Sequence, residues 1–362
     1  MLLLVTGTKM PTTYPNAWND FCTINNLYEA YEKARKGKAN SVTVKVFERH
    51  ERRNLVTLFH ELYTGTYNPR PLKRFVLRDP KTRVISVSDF RDRIVHHMIV
   101  NIIQPIFEPQ FIYDSYANRI SKGTRAAVRR AQTFIRKTTR NNKTKRSDGT
   151  IRGYCLKCDV KSYFDTVDHE TLMTILRRKV SDERFLALIR RILDNHETVI
   201  ARKGMPLGNW TSQFFANIYL NELDQHVKHV LKIKHYIRYV DDFVIFHRNA
   251  RVLDNYRASI DAFLTTHLAL RLHPTKCRVI PLHRGVLFLG FRLFPYHILV
   301  QKRNLRKLRT RTARLIAEYR NGLVRKEDVL GSFDGWCAYA GEADAYKLKE
   351  QLRERMEREL VR

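Results

Sequence analysis

Apolar and polar positions along this chain alternate between a helical and a strand period. Residues 11–66 repeat apolar side chains at helical spacing, with Asn25-Asn26 marking one helix start, a second run over 46–62, and Thr64-Gly65-Thr66 as its stop. Pro69-Arg70-Pro71 opens an extended stretch. There 75–77 and 84–87 predict an antiparallel hairpin about the turn Arg78-Asp79-Pro80-Lys81. Helical spacing returns over 89–108, where Ile94, Val95, Met98, Ile99 and Ile102 share a face and Pro105 lies near the end. A polar turn at 115–123 leads to a helix at about 124–138, then a loop or ribbon at 140–153 rich in Asn, Gly and basic residues.

The next strand, 154–159, ends in Asp159, and a short turn runs through Phe164 to helices at about 169–180 and 182–195. Gly204 to Gln213 breaks the pattern before a helix at 214–223. Two strand-like runs, 236–240 and 243–247, then flank Asp241-Asp242, which predicts a hairpin turning at the two acids. A helix at 252–268, a strand at 278–281 and a short hairpin at 286–293 follow. From 303 onward the pattern is helical, with Leu305, Leu308, Leu315 and Ile316 as a stripe among arginines and lysines. Two more helices, at about 326–340 and from 343 to the end, complete it, with no internal repeat.

Composition adds a partner to this picture. At 362 residues and 43% hydrophobic, with 19 Phe and 17 Tyr, the chain can bury a substantial core. Its 67 Lys+Arg against 36 Asp+Glu leave a charge of +31, which points to a polyanion, because basic side chains neutralise phosphates and release counterions. Five scattered cysteines argue for a reducing compartment. The Cys155-Leu156-Lys157-Cys158 spacing lacks the second pair that a zinc site needs, so packing in the strand is expected. Residues 1–5 are too short for a secretory core, and no run approaches the roughly 20 apolar residues of a membrane span, so a soluble intracellular protein without a membrane partner is expected.

Candidate chemistry lies in the acids and the basic hairpin. Asp-Asp in isolation reads as a surface turn. Asp159 at a rigid strand end is well placed as a metal ligand, and two antiparallel strands side by side would bring it to Asp241-Asp242. Phosphoryl transfer from a nucleoside triphosphate uses two divalent cations about 3.5–4 Å apart, and Mg²⁺ takes carboxylates rather than thiols. Asp165 and Asp168 are explained as turn and helix-cap residues. Lys73, Arg74, Lys81 and Arg83 make the predicted hairpin a cationic flap. His96-His97 are adjacent on a helix and do not share a face, so no metal site is read there.

Taken in order, the motifs resemble those of reverse transcriptases. They are Arg83 with 86–93, Tyr116-Ala117-Asn118-Arg119 with Lys122-Gly123, 159–165, 204–213, 239–242, Lys276 and Phe288-Leu289-Gly290-Phe291. The resemblance covers nearly the whole chain and implies an α+β right-hand polymerase fold with an antiparallel-sheet palm, fingers and a helical thumb. The corresponding divisions are an N-terminal helical extension at 1–66, fingers at 67–153, palm at 154–295 with a helical insertion at about 169–203, and a basic thumb at 296–362. It further implies that Asp159 and Asp241 hold two Mg²⁺ ions, with Mn²⁺ as a substitute, Asp242 as third acid and the Val160 carbonyl as a further ligand. Phe164 corresponds to the aromatic that blocks a ribose 2′-OH. Arg83 with Lys73 or Arg74 would hold the triphosphate, Lys276 would assist at the leaving group, and Asn118 and Arg119 would contact template.

One departure narrows the resemblance. Most reverse transcriptases carry Gln-Gly where this chain has Leu207-Gly208, followed by Asn209, Trp210, Thr211 and then Ser212-Gln213. That form resembles the reverse transcriptases of diversity-generating retroelements, which are related to those of group II introns. It implies copying of a template-repeat RNA into cDNA with errors at template adenines (mutagenic retrohoming), with Leu207, Gly208, Ser212 and Gln213 in template and base selection. Implied partners are template RNA, a cDNA or DNA primer, dNTPs and a basic ring-forming accessory protein, in the cytoplasm of a bacterium or archaeon or encoded by a phage. The alternatives are a group II intron-like or defence-associated reverse transcriptase, or a non-catalytic RNA-binding scaffold on the same fold.

Overall fold

Helix caps and turn residues set most of the element boundaries. The computed structural model describes residues 13–78, 82–143, 145, 147–196 and 200–361. Four helices open it: α1 (Ala17–Phe21), α2 (Ile24–Arg35), α3 (Val42–Glu48) and α4 (Glu51–Thr64). The start of α2 is Thr23, whose hydroxyl accepts from the Asn26 N–H at 3.2 Å. Asn26, expected as a start signal, is instead buried, its amide donating to the Phe21 and Met98 carbonyls. The run expected as one helix over 46–62 is divided between α3 and α4 at His50, whose φ of −134° is not helical. Gly65, at φ +78°, ends α4 as expected.

The hairpin β1 (Lys73–Leu77) and β2 (Arg83–Val87) follows, paired from Lys73↔Val87 to Leu77↔Arg83. Asp79, Pro80 and Lys81 of its expected turn lie outside the described residues. Then come α5 (Phe90–Phe107), capped by Asp89, α6 (Thr124–Thr138), β3 (Tyr154–Asp159), α7 (Tyr163–Thr166), α8 (His169–Arg177) and α9 (Glu183–Asp194). Helix α10 (Trp210–Gln225) begins four residues before the expected start at 214. Gly208, at φ +123°, is the last break; Asn209 is extended at the cap position, and Trp210-Thr211-Ser212-Gln213 form the first turn. The chain continues through β4 (Tyr236–Tyr239), β5 (Asp242–His247), α11 (Ala250–Leu268), β6 (Arg278–Pro281), β7 (Val286–Phe288), β8 (Phe291–Leu293) and β9 (Ile298–Val300). The last of these has no counterpart among the expected elements. Helices α12 (Lys302–Arg320), α13 (Lys326–Tyr339) and α14 (Tyr346–Val361) end the described chain.

Two compact units emerge from this order. The first comprises the residues before Asp114, Val160–Lys232 and Ser259–Pro274; the second comprises Asp114–Asp159, Ile233–Ala258 and Thr275–Arg362. In the first, α5 packs against α2 on one side and α10 on another, so it is buried along Ile94, Val95, Met98, Ile99 and Ile103. In the second, four strands run antiparallel in the order β4-β5-β3-β6, and β7-β8-β9 form a separate sheet. Phe243, Val244, Ile245 and Phe246 are all buried, so both faces of β5 are covered, which asks for a continuous apolar run rather than alternation. Helix α6 covers this sheet with Ala127, Val128, Ala131, Phe134 and Ile135, in one core with Phe288 and Phe291. A smaller core of Leu308, Ile316, Val329, Phe333, Met356 and Leu360 joins α12, α13 and α14. Among the described residues no helix is long and apolar enough to cross a membrane.

Candidate active site

Strand pairing in the second unit places the acids. Strands β3 and β5 are antiparallel with Asp159 directly opposite Asp242, and β5 returns to β4 with Tyr239 opposite Asp242. The two-residue turn is therefore Val240-Asp241, one residue earlier than expected, and Asp242 opens β5 rather than lying in the bend. Val240 takes φ +55° at the first turn position, which glycine usually fills; a β-branched residue there is strained by about 1–3 kcal/mol.

Arg238 braces this turn from below. It is fully buried, its Nη1 donating to the Val240 carbonyl at 3.2 Å and its Nη2 to Ser115 Oγ at 3.2 Å. Its backbone N–H donates to the Asp114 carbonyl and its own carbonyl accepts from Tyr116 N–H, both at 3.0 Å. A guanidinium is tolerated at this depth only with such partners. Nothing in the pattern of the β4 strand signalled this role, because an arginine between Ile237 and Tyr239 reads as an outward-facing residue.

Two lysines hold the carboxylates. Lys276 Nζ lies 2.6 Å from Asp159 Oδ1. Lys157, on β3, places Nζ 3.3 Å from Asp242 Oδ2 and also donates to the Leu287 carbonyl at 3.0 Å. Asp242 Oδ1 is buried and has no hydrogen-bond partner among the described residues. Burial pushes the Asp242 carboxyl up to about 6; Asp241 and Asp159 push the same way, and Lys157 opposes them. The thiols are unsuited to hold a metal here. Cys155 is buried and burial raises it, while Cys158 is raised first by its contact with Cys277 and then by burial.

Asn118 and Arg119, in the same unit, turn back on their own segment. Asn118 is left-handed at φ +53°, and Arg119 Nη1 donates to the Ser115 carbonyl at 3.1 Å.

The first unit holds the remaining candidates. Lys73, Arg74 and Arg83 are exposed on the β1–β2 hairpin. Beside β2 lies the Leu207–Asn209 segment: Ser86 N–H donates to the Leu207 carbonyl at 3.1 Å and Ser88 N–H to Asn209 Oδ1 at 3.2 Å. Phe164 is half-buried in α7, and its carbonyl accepts from Met205 N–H at 2.6 Å, which ties that helix to the same loop. Val160, buried, is bridged to Leu272. Gln213 is half-buried, whereas Ser212, expected in base selection, is 3% exposed inside the first turn of α10 and has almost no surface to offer a base.

Residues 77–293 match the family described as reverse transcriptase (RNA-dependent DNA polymerase). The chain belongs to that family. It is 30% identical over 279 residues to protein YkfC of Escherichia coli (strain K12), covering 66% of this chain and 71% of that one. It is 29% identical over 185 residues to the group II intron-encoded protein LtrA of Lactococcus lactis subsp. cremoris, covering 49% of this chain but 28% of that longer protein. A telomerase structure from Candida tropicalis, in a form truncated from its C-terminal domain, aligns over 70% of this chain and 60% of its own at 14% identity and a TM-score of 0.49. The chain thus carries an RNA-directed DNA polymerase domain in an α+β fold, related to the reverse transcriptases of group II introns.

The acids of this reverse transcriptase fit a hard divalent cation. Among the described residues no three His, Cys, Asp or Glu converge as a closed cage. Mg²⁺ asks for one or two carboxylates and completes its shell from water and substrate phosphates. The buried, unpartnered Oδ1 of Asp242 is such a donor, and it belongs to the acid expected only in support.

Proposed function

We propose that this chain copies RNA into DNA by two-metal nucleotidyl transfer, and that it does so in a diversity-generating retroelement, making adenine-mutagenised cDNA from a template-repeat RNA. The observation that carries the polymerase reading is Asp159 opposite Asp242 on paired inner strands, with Asp241 in the adjoining turn. Divalent cations there would lower the charge cost at the attacking primer oxygen and at the departing pyrophosphate. Asp159, Asp241 and Asp242 hold them. Lys276, already on Asp159, serves the leaving group. Lys73, Arg74 and Arg83 receive the triphosphate of a dNTP, and Phe164 selects against a 2′-OH.

The error-prone half of the proposal rests on Leu207. An aliphatic side chain at the place of the usual Gln makes no hydrogen bond to a templating base, so wrong pairs are rejected less strongly. The relationship to the intron-encoded protein of L. lactis favours a second reading, a group II intron-type reverse transcriptase.

Primer extension on an RNA template separates these. Replacing Asp241 and Asp242 together with Ala is expected to lower incorporation about a thousandfold or more. Undiminished RNA binding with no incorporation even in the wild type would leave only a scaffold. Leu207→Gln is expected to reduce misincorporation at template adenines. An unchanged error spectrum would remove Leu207 from base selection, and a wild-type spectrum without adenine bias would favour the intron-type reading.

A further inference from the structure

The polymerase chemistry leaves His96 unused, yet it is buried in the first unit with both ring nitrogens engaged. Its Nε2 lies 2.9 Å from Ser88 Oγ, just beyond the end of β2, and its Nδ1 lies 2.8 Å from Thr211 Oγ1 in the first turn of α10. Burial, with His97 and Arg93 acting the same way, pushes the imidazole down to about 3, so it is neutral near pH 7. One nitrogen then donates and the other accepts, and each hydroxyl supplies the complementary partner.

The same segments meet at three further pairs. Ser86 N–H holds the Leu207 carbonyl, and Ser88 N–H holds Asn209 Oδ1. Asn209 is at the cap position of α10 but makes no capping bond, since its side-chain oxygen is taken by Ser88. The rings of His97 and Trp210 are 6.0 Å apart and 20° from parallel. Between these contacts Gly208 lies so close that an added Cβ would stand 3.2 Å from the Ser86 carbonyl oxygen and 3.3 Å from Ile85 Cγ2.

We propose that His96 is a positioning residue for base selection, clamping Thr211 to Ser88 and so fixing where Leu207-Gly208-Asn209 stands against the fingers hairpin. This rests on the reading of Leu207 as a base-selecting residue. His96 itself is buried and acts through the two hydroxyls it holds. A two-hydroxyl clamp through one neutral ring is in series: losing either end breaks the link from Thr211 to Ser88. The two ends are therefore coupled rather than additive.

The test uses the full chain on an RNA template, with single-nucleotide incorporation of correct and incorrect dNTPs and thermal melting alongside. Ser88→Ala and Thr211→Val each delete one hydroxyl with little change of volume and avoid the fold risk of replacing the buried ring. Each is expected to change the ratio of wrong to right incorporation, or KM for the correct dNTP, by about fivefold, with kcat held within about twofold. The double variant is expected to match the single ones. Lowered melting temperatures with KM and error ratio at wild-type values would overturn the proposal and leave His96 a packing residue. Effects of the two variants that multiply would overturn the clamp in series. Leu207→Gln run beside them keeps the two ideas apart. If it alone shifts the errors, the clamp falls and the Leu207 reading stands. If only the clamp variants shift them, the reading of the Leu207 side chain falls, and the clamp stands only as a hold on the Gly208-Asn209 backbone. If none does, both fall.

Discussion

Val240 and His96 are two residues at which this fold accepts a local cost. Val240 stores backbone strain that Arg238 holds in place, and Asp242, two residues on, carries a buried oxygen without a donor among the described residues. His96 gives up its proton to remain buried between two hydroxyls. That last cost has a sign and a pH window. In the unfolded chain His96 titrates near its ordinary 6.5, whereas in the native protein burial holds it at about 3. Between those values the unfolded state binds a proton that the native state refuses. The stability His96 allows is full above pH 6.5 and is lost as pH falls toward 3. His97, pushed down to about 4 mainly by burial, adds to the loss over the upper part of the window. His96 alone is expected to cost about 2 kcal/mol at pH 5 relative to pH 7.5. Urea melts of the metal-free chain at the two pH values, with His96→Gln beside the wild type, read this directly. An equal acid sensitivity in both would place the proton uptake elsewhere.

Elements were legible where a local signal decided them. Asp89 and Gly65 bound α5 and α4, and the apolar runs beside the two acids became the paired strands β4 and β5, the second of them an inner strand. They were illegible where polar composition hid a helix, as at Trp210-Thr211-Ser212-Gln213, or where a tertiary partner made a strand, as for β9 against β8. The β7–β8 turn shows both kinds of information. Leu289 and Gly290 have φ values of +48° and +88°, the double-positive pattern of a tight two-residue hairpin, and Phe288 pairs with Phe291 across it. The sequence announces the glycine; it does not announce what presses on it. A Cβ at Gly290 would fall 2.0 Å from the Tyr339 hydroxyl and 2.8 Å from Asn304 Nδ2, two groups that hydrogen-bond to each other at 2.7 Å. Gly290→Ala is therefore expected to destabilise by about 1–3 kcal/mol beyond backbone strain. Gly65→Ala, left-handed too but with nothing within 4 Å of the new carbon, is expected to cost only the strain, about 1 kcal/mol. Thermal melts that rank the two equally would remove the packing argument at the β7–β8 turn.

Across the whole molecule, the acids were legible because two separated carboxylate sites ask for strands that pair. Lys276 was named from the resemblance, but its pairing with Asp159 was not legible, nor was Lys157 at all, since both lysines reach their acids only through the fold. Charge behaves differently, for its sum needs no fold. The surplus of +31 is concentrated in part on α12, where eight basic residues face one acid and Arg306, Arg309, Arg311 and Arg314 are exposed. Side chains of this kind bind phosphates without reading bases, and each phosphate neutralised on a single strand contributes roughly −0.7 to the slope of log Kobs against log salt. A footprint of about six phosphates then predicts a slope near −4 for single-stranded RNA, independent of sequence. Replacing Arg306, Arg309 and Arg311 with Gln is expected to reduce the steepness by about 2, weakening all RNA sequences alike and leaving the ratio of wrong to right incorporation unchanged at saturating template. Fluorescence anisotropy from 50 to 300 mM salt gives both slopes. A slope that three charge deletions leave untouched would mean that the backbone-binding surface lies elsewhere than on α12. A selective loss for one RNA sequence would mean that these arginines read bases rather than phosphates.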